Sequence, residues 1–216
     1  MDKNYQNKSH AVMAQRHEAK DSLDNFPTPP WATRALLEKI LNHNDFGNQS
    51  CLEPACGAGH MSKVLDEYFD KVTSSDLYDY GYGENVDFTH SFYKNESYDW
   101  VITNPPFKLA EKFIDEALKV ARIGVAVLVR TVFLESIGRY QRLFSISPPS
   151  YVAQFSERVP IVKGRLDIKA TTATGYAWCV WEKNLLKEPR LKWIEPCRKK
   201  LEKQTDYLEP LSSSYK

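Results

Sequence analysis

Cysteine is scarce and unpatterned in this sequence: Cys51, Cys56, Cys179 and Cys197 include no C-x-x-C pair. That excludes the common zinc frames and a disulfide scaffold, and it suits reduced thiols in a cytoplasm. The five histidines, His10, His17, His43, His60 and His90, show no metal-ligand spacing. No apolar run approaches the roughly 20 residues of a membrane helix. The opening stretch MDKNYQNKSHAVMAQRHEAK has no apolar centre, so it is not a secretory leader. Bulk charge is nearly balanced at +1 over 216 residues, long enough for one domain with a sizeable core.

The balance is local, however. Lys63 to Asp99 holds three Lys/Arg against nine Asp/Glu, and Arg122 to Lys203 holds sixteen against seven. An acidic middle beside a basic C-terminal half fits a polyanion-binding face, or simply solvated helix surface.

The periodicity predicts a polar arm over 1–25, a main domain over 26–185 and a basic helical extension and tail over 186–216. FPTPPWATRALLEKIL reads as a helix start, with Thr28 as cap and Pro29 or Pro30 in the first turn. SCLEPACGAGHM reads as a strand, a glycine turn and a helix to about Phe69. KVTSSDL and YDWVITN read as strands, and LAEKFIDEALKVA as an amphipathic helix. GVAVLVR is a further buried strand, and TVFLESIGRYQRLF a helix that stops at Pro148-Pro149. YVAQFSERVPIV and TTATGYAWCVWEK read as late, antiparallel strands, and EPRLKWIEPCRKKLEK as a last helical region broken at Pro196. Strands alternating with helices argue for an α/β fold with a mostly parallel sheet, helices on both faces and an antiparallel terminal strand pair.

Two stretches carry chemistry. The first is Glu53-Pro54-Ala55-Cys56-Gly57-Ala58-Gly59, where a strand hands over to a helix. Glycines there let a backbone approach a ligand closely. The third glycine of the dinucleotide fingerprint is missing, and so is the lysine of a triphosphate loop. Asp76 ends the next strand, where an acid can accept both hydrogen bonds of a ribose diol, with Leu77 beside it. Glu53 can take the charge of a cationic ligand. Acids in such a pocket suit an ammonium and a sulfonium better than a pyrophosphate, and S-adenosyl-L-methionine carries both cations. An ordinary tight turn is the plain alternative.

The second stretch is Asn104-Pro105-Pro106-Phe107, at the end of a buried strand. An aromatic exocyclic amine is a poor nucleophile because its lone pair is delocalised into the ring. Two acceptors on its two N–H bonds free that lone pair. The Asn104 side-chain oxygen can be one and the Pro105 carbonyl the other, since prolines bring no competing N–H and a fixed φ. Phe107 offers a face on which a base can stack, worth ~1–3 kcal/mol.

With LEPACGAG upstream and the Thr-Pro segment FPTPPWATRALLEKI before it, NPPF resembles the amino-group methyltransferases of the class I S-adenosylmethionine-dependent fold. The resemblance covers about residues 21–182 and is nearest in type to small bacterial and phage DNA adenine-N6 methyltransferases. It implies a Rossmann-like, mostly parallel seven-stranded sheet and S-adenosyl-L-methionine as cofactor. Phe26, Pro27, Thr28 and Pro29 would close over that cofactor. Glu53, Pro54, Cys56, Gly57, Gly59, Asp76, Leu77 and Asn104 would line its site, and Asp87-Phe88 would meet its adenine. Asn104, Pro105, Pro106 and Phe107 would be catalytic.

Arg130 ends GVAVLVR, Arg139 and Arg142 follow it, and Arg158, Lys163, Arg165 and Lys169 flank the loop between the late strands. Arg130, Lys163 and Arg165 are assigned to substrate binding, Lys163 and Arg165 through phosphate contact, with surface solubility as the plain alternative for those two. The implied partner is nucleic acid, DNA before RNA, in a bacterial cytoplasm with phage or prophage origin, the enzyme acting as monomer or homodimer without membrane contact. The chain has no room for a separate recognition domain of ~100 residues. RNA adenine, a protein glutamine amide, or a silent cofactor-binding module remain open alternatives.

Overall fold

A computed structural model describes residues 24–90, 93–185 and 188–207. The arm expected over 1–25 lies outside these residues except for its last two positions.

Among the described residues, eight strands form one sheet: β1 (Ser50–Glu53), β2 (Lys71–Asp76), β3 (Glu84–Asn85), β4 (Tyr98–Thr103), β5 (Ala121–Arg130), β6 (Tyr151–Phe155), β7 (Tyr176–Glu182) and β8 (Arg190–Ile194). Their order is β3-β2-β1-β4-β5-β7-β6-β8. The pairs from β3 to β5 are parallel. Strand β7 is antiparallel to both β5 and β6, and β8 runs parallel to β6. Strands β1 and β4 lie side by side although β2 and β3 intervene in sequence, which opens a crevice beyond their carboxyl ends.

The seven-stranded expectation is thus corrected to eight. The additional outer strand is β8, within the stretch expected to be helical. RLKWI alternates, with Leu191 and Trp193 exposed on one side while Ile194 is buried. Period two overrides the helical reading of this basic stretch. Helical structure resumes only at α5 (Arg198–Leu201), past Pro196, which lacks a backbone donor.

The helices are otherwise α1 (Pro30–Ala35), prolonged by a wider π turn over Leu36–Ile40, α2 (Ser62–Leu65), α3 (Ala110–Val120) and α4 (Ile137–Arg139), itself prolonged by a π turn over Tyr140–Phe144. Helix α2 is shorter than the expected run to Phe69. The single helix expected from TVFLESIGRYQRLF is a 3₁₀ turn, Thr131–Leu134, then α4 and its π turn. Alternation along the central strands supplies two cores. Trp100, Ile102, Leu128 and Trp178 face α1, while Val101, Val125, Val127 and Cys179 face α3. All four cysteines are buried free thiols. No helix among the described residues is long and apolar enough to cross a membrane.

One buried cation ties the C-terminal segment to this frame. Arg34 on α1 is 3% exposed and donates to Glu67 and Asp206 through paired contacts of 2.6–3.0 Å, and to the Leu201 carbonyl at 2.9 Å. Asp206 is nearly as buried. Removing the guanidinium leaves the nearly buried Asp206 carboxylate with the Lys203 N–H alone, while the more exposed Glu67 keeps the Lys203 ammonium. Arg34→Ala is therefore expected to cost about 3–5 kcal/mol in denaturant unfolding. Arg34→Lys should recover only part, since one ammonium cannot replace two bidentate pairs.

Candidate functional site

A cleft of about 1520 Å³ opens at the carboxyl ends of the strands. Gly57 lines it and Gly59 stands just behind, both in the left-handed region at φ 49° and 79°. A Cβ on Gly59 would lie 2.6 Å from the Tyr82 ring, so the turn admits no side chain there. The Gly57 N–H donates to Asp76 Oδ2 at 2.9 Å, and Tyr78 N–H donates to Asp76 Oδ1 at 3.1 Å. The carboxylate at the end of β2 is thereby clamped across the glycine turn, with a further lone pair left on each oxygen.

Glu53 lies deeper. It is 2% exposed and accepts from the Ser62 hydroxyl, which in turn accepts from Ser74 at 2.7 Å. Burial pushes its carboxyl up to about 8, the Ser62 hydrogen bond opposes this, and the charge on Asp76 adds to it. Burial likewise pushes the neighbouring Cys56 thiol up to about 12, so it is protonated at neutral pH and not a nucleophile. Asp87 accepts from the Thr89 N–H and hydroxyl and meets His90, and these contacts, the Thr89 hydroxyl first, hold it below the usual carboxylate range. Phe88 is buried against Phe113 with an edge on the cleft.

Asn104 stands at the centre. Its Nδ2 donates to the Phe26 carbonyl at 2.9 Å and to the Thr28 hydroxyl at 3.0 Å. A carbonyl can only accept, so the amide nitrogen must lie on that side and Oδ1 on the other. No described residue donates to Oδ1. The strap over 24–29 is itself held at both ends of its contact. Asp24 Oδ2 accepts from the Phe107 N–H at 2.7 Å, and the Asn25 carbonyl accepts from the Gly164 N–H at 2.9 Å. Thr28 does not cap α1 as expected; Pro29 holds that position without a side-chain bond. The Thr28 hydroxyl serves Asn104 instead.

Of the two proline carbonyls, that of Pro106 accepts from Leu109 N–H at 2.9 Å, and that of Pro105 has no described backbone donor. Pro105 is buried outside the cleft lining. Phe107 lines the cleft, but its face is already covered: the Arg130 guanidinium lies 3.7 Å from the ring centroid, and Phe26 tilts against it at 5.4 Å.

The structure thus gathers Phe26, Pro27, Thr28, Glu53, Pro54, Cys56, Gly57, Asp76, Leu77, Asp87, Phe88, Asn104, Pro106, Phe107 and Arg130 around one cleft. Pro29, Gly59 and Pro105 shape it from behind. Lys163 and Arg165 do not reach it. They sit on a tight hairpin turned by Gly164 at φ 76°, where Arg165 pairs with Asp167 at 3.1 Å. Arg139 and Arg142 are engaged by Glu111. Arg158 and the run Thr171–Gly175 do line it. Nothing in the periodicity set Arg158 apart from Lys163 and Arg165. Its place directly beyond a strand end, like that of Arg130, is the signal that separates it.

No protein-family model matches the chain, and no curated protein does. Solved structures do resemble it. A Pyrococcus horikoshii protein provisionally named an RNA methyltransferase aligns over 77% of this chain and 91% of its own, with TM-score 0.58 and 15% identity. A Thermoplasma acidophilum protein aligns over 76% and 93%, with TM-score 0.51 and 21% identity. The modification subunit of a provisionally named type I restriction enzyme from Vibrio vulnificus aligns over 88% of this chain and 51% of its own, with TM-score 0.56 and 15% identity. At these identities the likeness is one of fold: this chain has the Rossmann-like α/β architecture found in methyltransferases.

The raised Glu53 carboxyl has a pH signature. Its folded value near 8 exceeds the ordinary 4.5, so folding favours its neutral form. Its contribution to stability is complete below about pH 4.5 and is lost as pH rises towards 8. Glu53→Gln removes that loss. The variant's melting temperature relative to the parent should therefore rise steadily from pH 5 to pH 8, measured by thermal melts in parallel buffers; a difference that does not change with pH contradicts the assignment.

Proposed function

We propose that this protein is an S-adenosyl-L-methionine-dependent methyltransferase acting on an exocyclic amino group, adenine N6 in DNA. The observation that carries this reading is the fixed orientation of the Asn104 amide, whose nitrogen is bound to the strap and whose oxygen is left for an incoming N–H. The cofactor fits the residues present: Asp76 retains acceptor capacity for a ribose diol, Asp87 supplies negative charge, Glu53 can do so when a nearby cation draws off its proton, and the glycine turn leaves clearance for a backbone-hugging ligand. When bound, S-adenosyl-L-methionine supplies the activated methyl group.

The remaining work falls to the chain. Asn104 Oδ1 accepts one N–H of the amine, which helps free its lone pair for in-line attack; Pro105, expected to supply the second acceptor, stands behind the cleft lining. The strap and the rigid end of β4 hold the Asn104 oxygen still, so alignment supplies much of the rate. A base on Phe107 replaces the Arg130 guanidinium there. A cation–π contact is worth about 0.5–2 kcal/mol and base stacking about 1–3 kcal/mol, so the exchange is close to balanced and leans towards the base. A duplex base must first leave its stack, at a few kcal/mol.

The name of the Pyrococcus neighbour favours RNA as a second reading, and that of the Vibrio neighbour favours DNA. The test is transfer of labelled methyl to unmethylated DNA and RNA side by side, followed by nucleoside analysis. Labelled N6-methyldeoxyadenosine is expected. Asn104→Ala should lower turnover by about 10²–10³-fold, the scale of losing one positioned polar group, while cofactor still binds. Parent-like turnover by that variant, or label in neither polymer, would sink the reading.

A further inference from the structure

The cleft changes sign along the sheet edge. Glu53, Asp76 and Asp87 stand at or beyond β1, β2 and β3. The Lys and Arg side chains among the described lining residues, Lys108, Arg130 and Arg158, stand at or beyond β4, β5 and β6. Asp24 is the one acid outside the first group, and one of its oxygens is taken by the Phe107 N–H.

Among the described residues, neither arginine faces an anion. Arg130 forms no ion pair and no hydrogen bond with any described residue, and its Nε is buried without a partner. Only aromatic faces hold it, Phe107 at 3.7 Å and Phe26 at 5.7 Å. Arg158 donates through Nη1 to the Ala173 carbonyl at 3.1 Å, which orients its fork and leaves its other donors without a described partner. Between the two lies a wall of hydroxyls and exposed backbone. Arg130 pairs in register with Tyr176, and the Thr131 N–H donates to the Gly175 carbonyl at 3.0 Å. A Cβ placed on Gly175 would meet Thr131 Oγ1 at 3.0 Å and Arg158 Nη1 at 3.5 Å, so these groups converge on one small space. Thr171, Thr172 and Thr174 line the same wall. Unpaired guanidinium forks beside hydroxyls and a glycine match the oxygens of a phosphodiester, whose bidentate recognition is what arginine does best.

We propose that Arg130, Arg158, Thr131 and the Thr171–Gly175 loop form a subsite for the backbone phosphate adjoining the target nucleotide. Lys163 and Arg165, two of the cations expected to hold it, have no part in it. The subsite rests on the nucleic-acid reading above and gives the cleft a polarity, with the cationic cofactor at one end and the anionic substrate strand at the other.

Fluorescence anisotropy of a labelled, adenine-containing single-stranded deoxyoligonucleotide between 50 and 200 mM salt, about the span over which phosphate contacts are read, tests this. Arg130→Gln and Arg158→Gln should each weaken binding about fivefold or more at the low-salt end. Each should also reduce the slope of log affinity against log salt by about 0.7, one phosphate contact on a single strand. The ribo-oligonucleotide of the same sequence should lose the same slope. Lys199→Gln/Lys200→Gln, which removes two exposed charges elsewhere, should leave the slope unchanged. Parent-like affinity and slope in Arg158→Gln, or equal losses in the Lys199/Lys200 variant, overturn the subsite. Calorimetric cofactor binding on the same samples separates the two readings. Intact cofactor binding without an arginine-dependent slope removes the subsite alone. An arginine-dependent slope without cofactor binding removes the methyl-transfer reading alone.

Discussion

The amide of Asn104 is held by its nitrogen. The Phe26 carbonyl and the Thr28 hydroxyl both accept from Nδ2, and neither leaves the amide free to turn over. An asparagine at a strand end without such partners can present either a donor or two lone pairs to a ligand. Here only the oxygen remains available. The consequence reaches outward, because the strap that supplies both acceptors is itself tied to Phe107 through Asp24 and to the hairpin at Gly164 through Asn25. Three segments far apart in sequence therefore have to be in place before one side chain has a defined role.

Around that fixed point the sheet order arranges charge. Strands β1, β2 and β3 lie on one side of the crevice and β5, β7 and β6 on the other. Carboxylates end the first group and guanidinium groups the second. The arrangement explains how a chain of net charge +1 can offer both a cationic and an anionic ligand a complementary surface. The acid end is not simply negative, because burial keeps Glu53 near the balance of its two forms around neutrality, raised to about 8, and a nearby ligand cation shifts that balance towards the carboxylate.

Much of this was legible in the residues. The apolar runs of β4, β5 and β7, the apolar stripe of α3 and the two glycines of the turn depend on local pattern, and local pattern is what a sequence displays. The acidic strand ends Glu53 and Asp76 could be placed because a strand followed by a turn leaves its last side chains at the ligand edge. What stayed hidden depended on distant partners. Thr28 has the chemistry of a helix cap, and only Asn104, 76 residues away, diverts it. RLKWI lies in a basic stretch that reads as helical, and only pairing with β6 makes it a strand. Lys163, Arg165 and Arg158 are alike on paper; a hairpin bridge between Val162 and Arg165 carries the first two away from the cleft. The π turns that prolong α1 and α4 likewise have no local signal that sets them apart from ordinary helix.

The hold of Thr28 on Asn104 can be measured directly. Thr28→Val keeps the branched shape and removes the acceptor, while Thr28→Ser keeps the hydroxyl. If the strap sets the amide, single-turnover methyl transfer at saturating cofactor should slow by about three- to tenfold in Thr28→Val, the worth of one hydrogen bond, and stay close to the parent in Thr28→Ser. Equal rates in the valine variant and the parent would contradict the account.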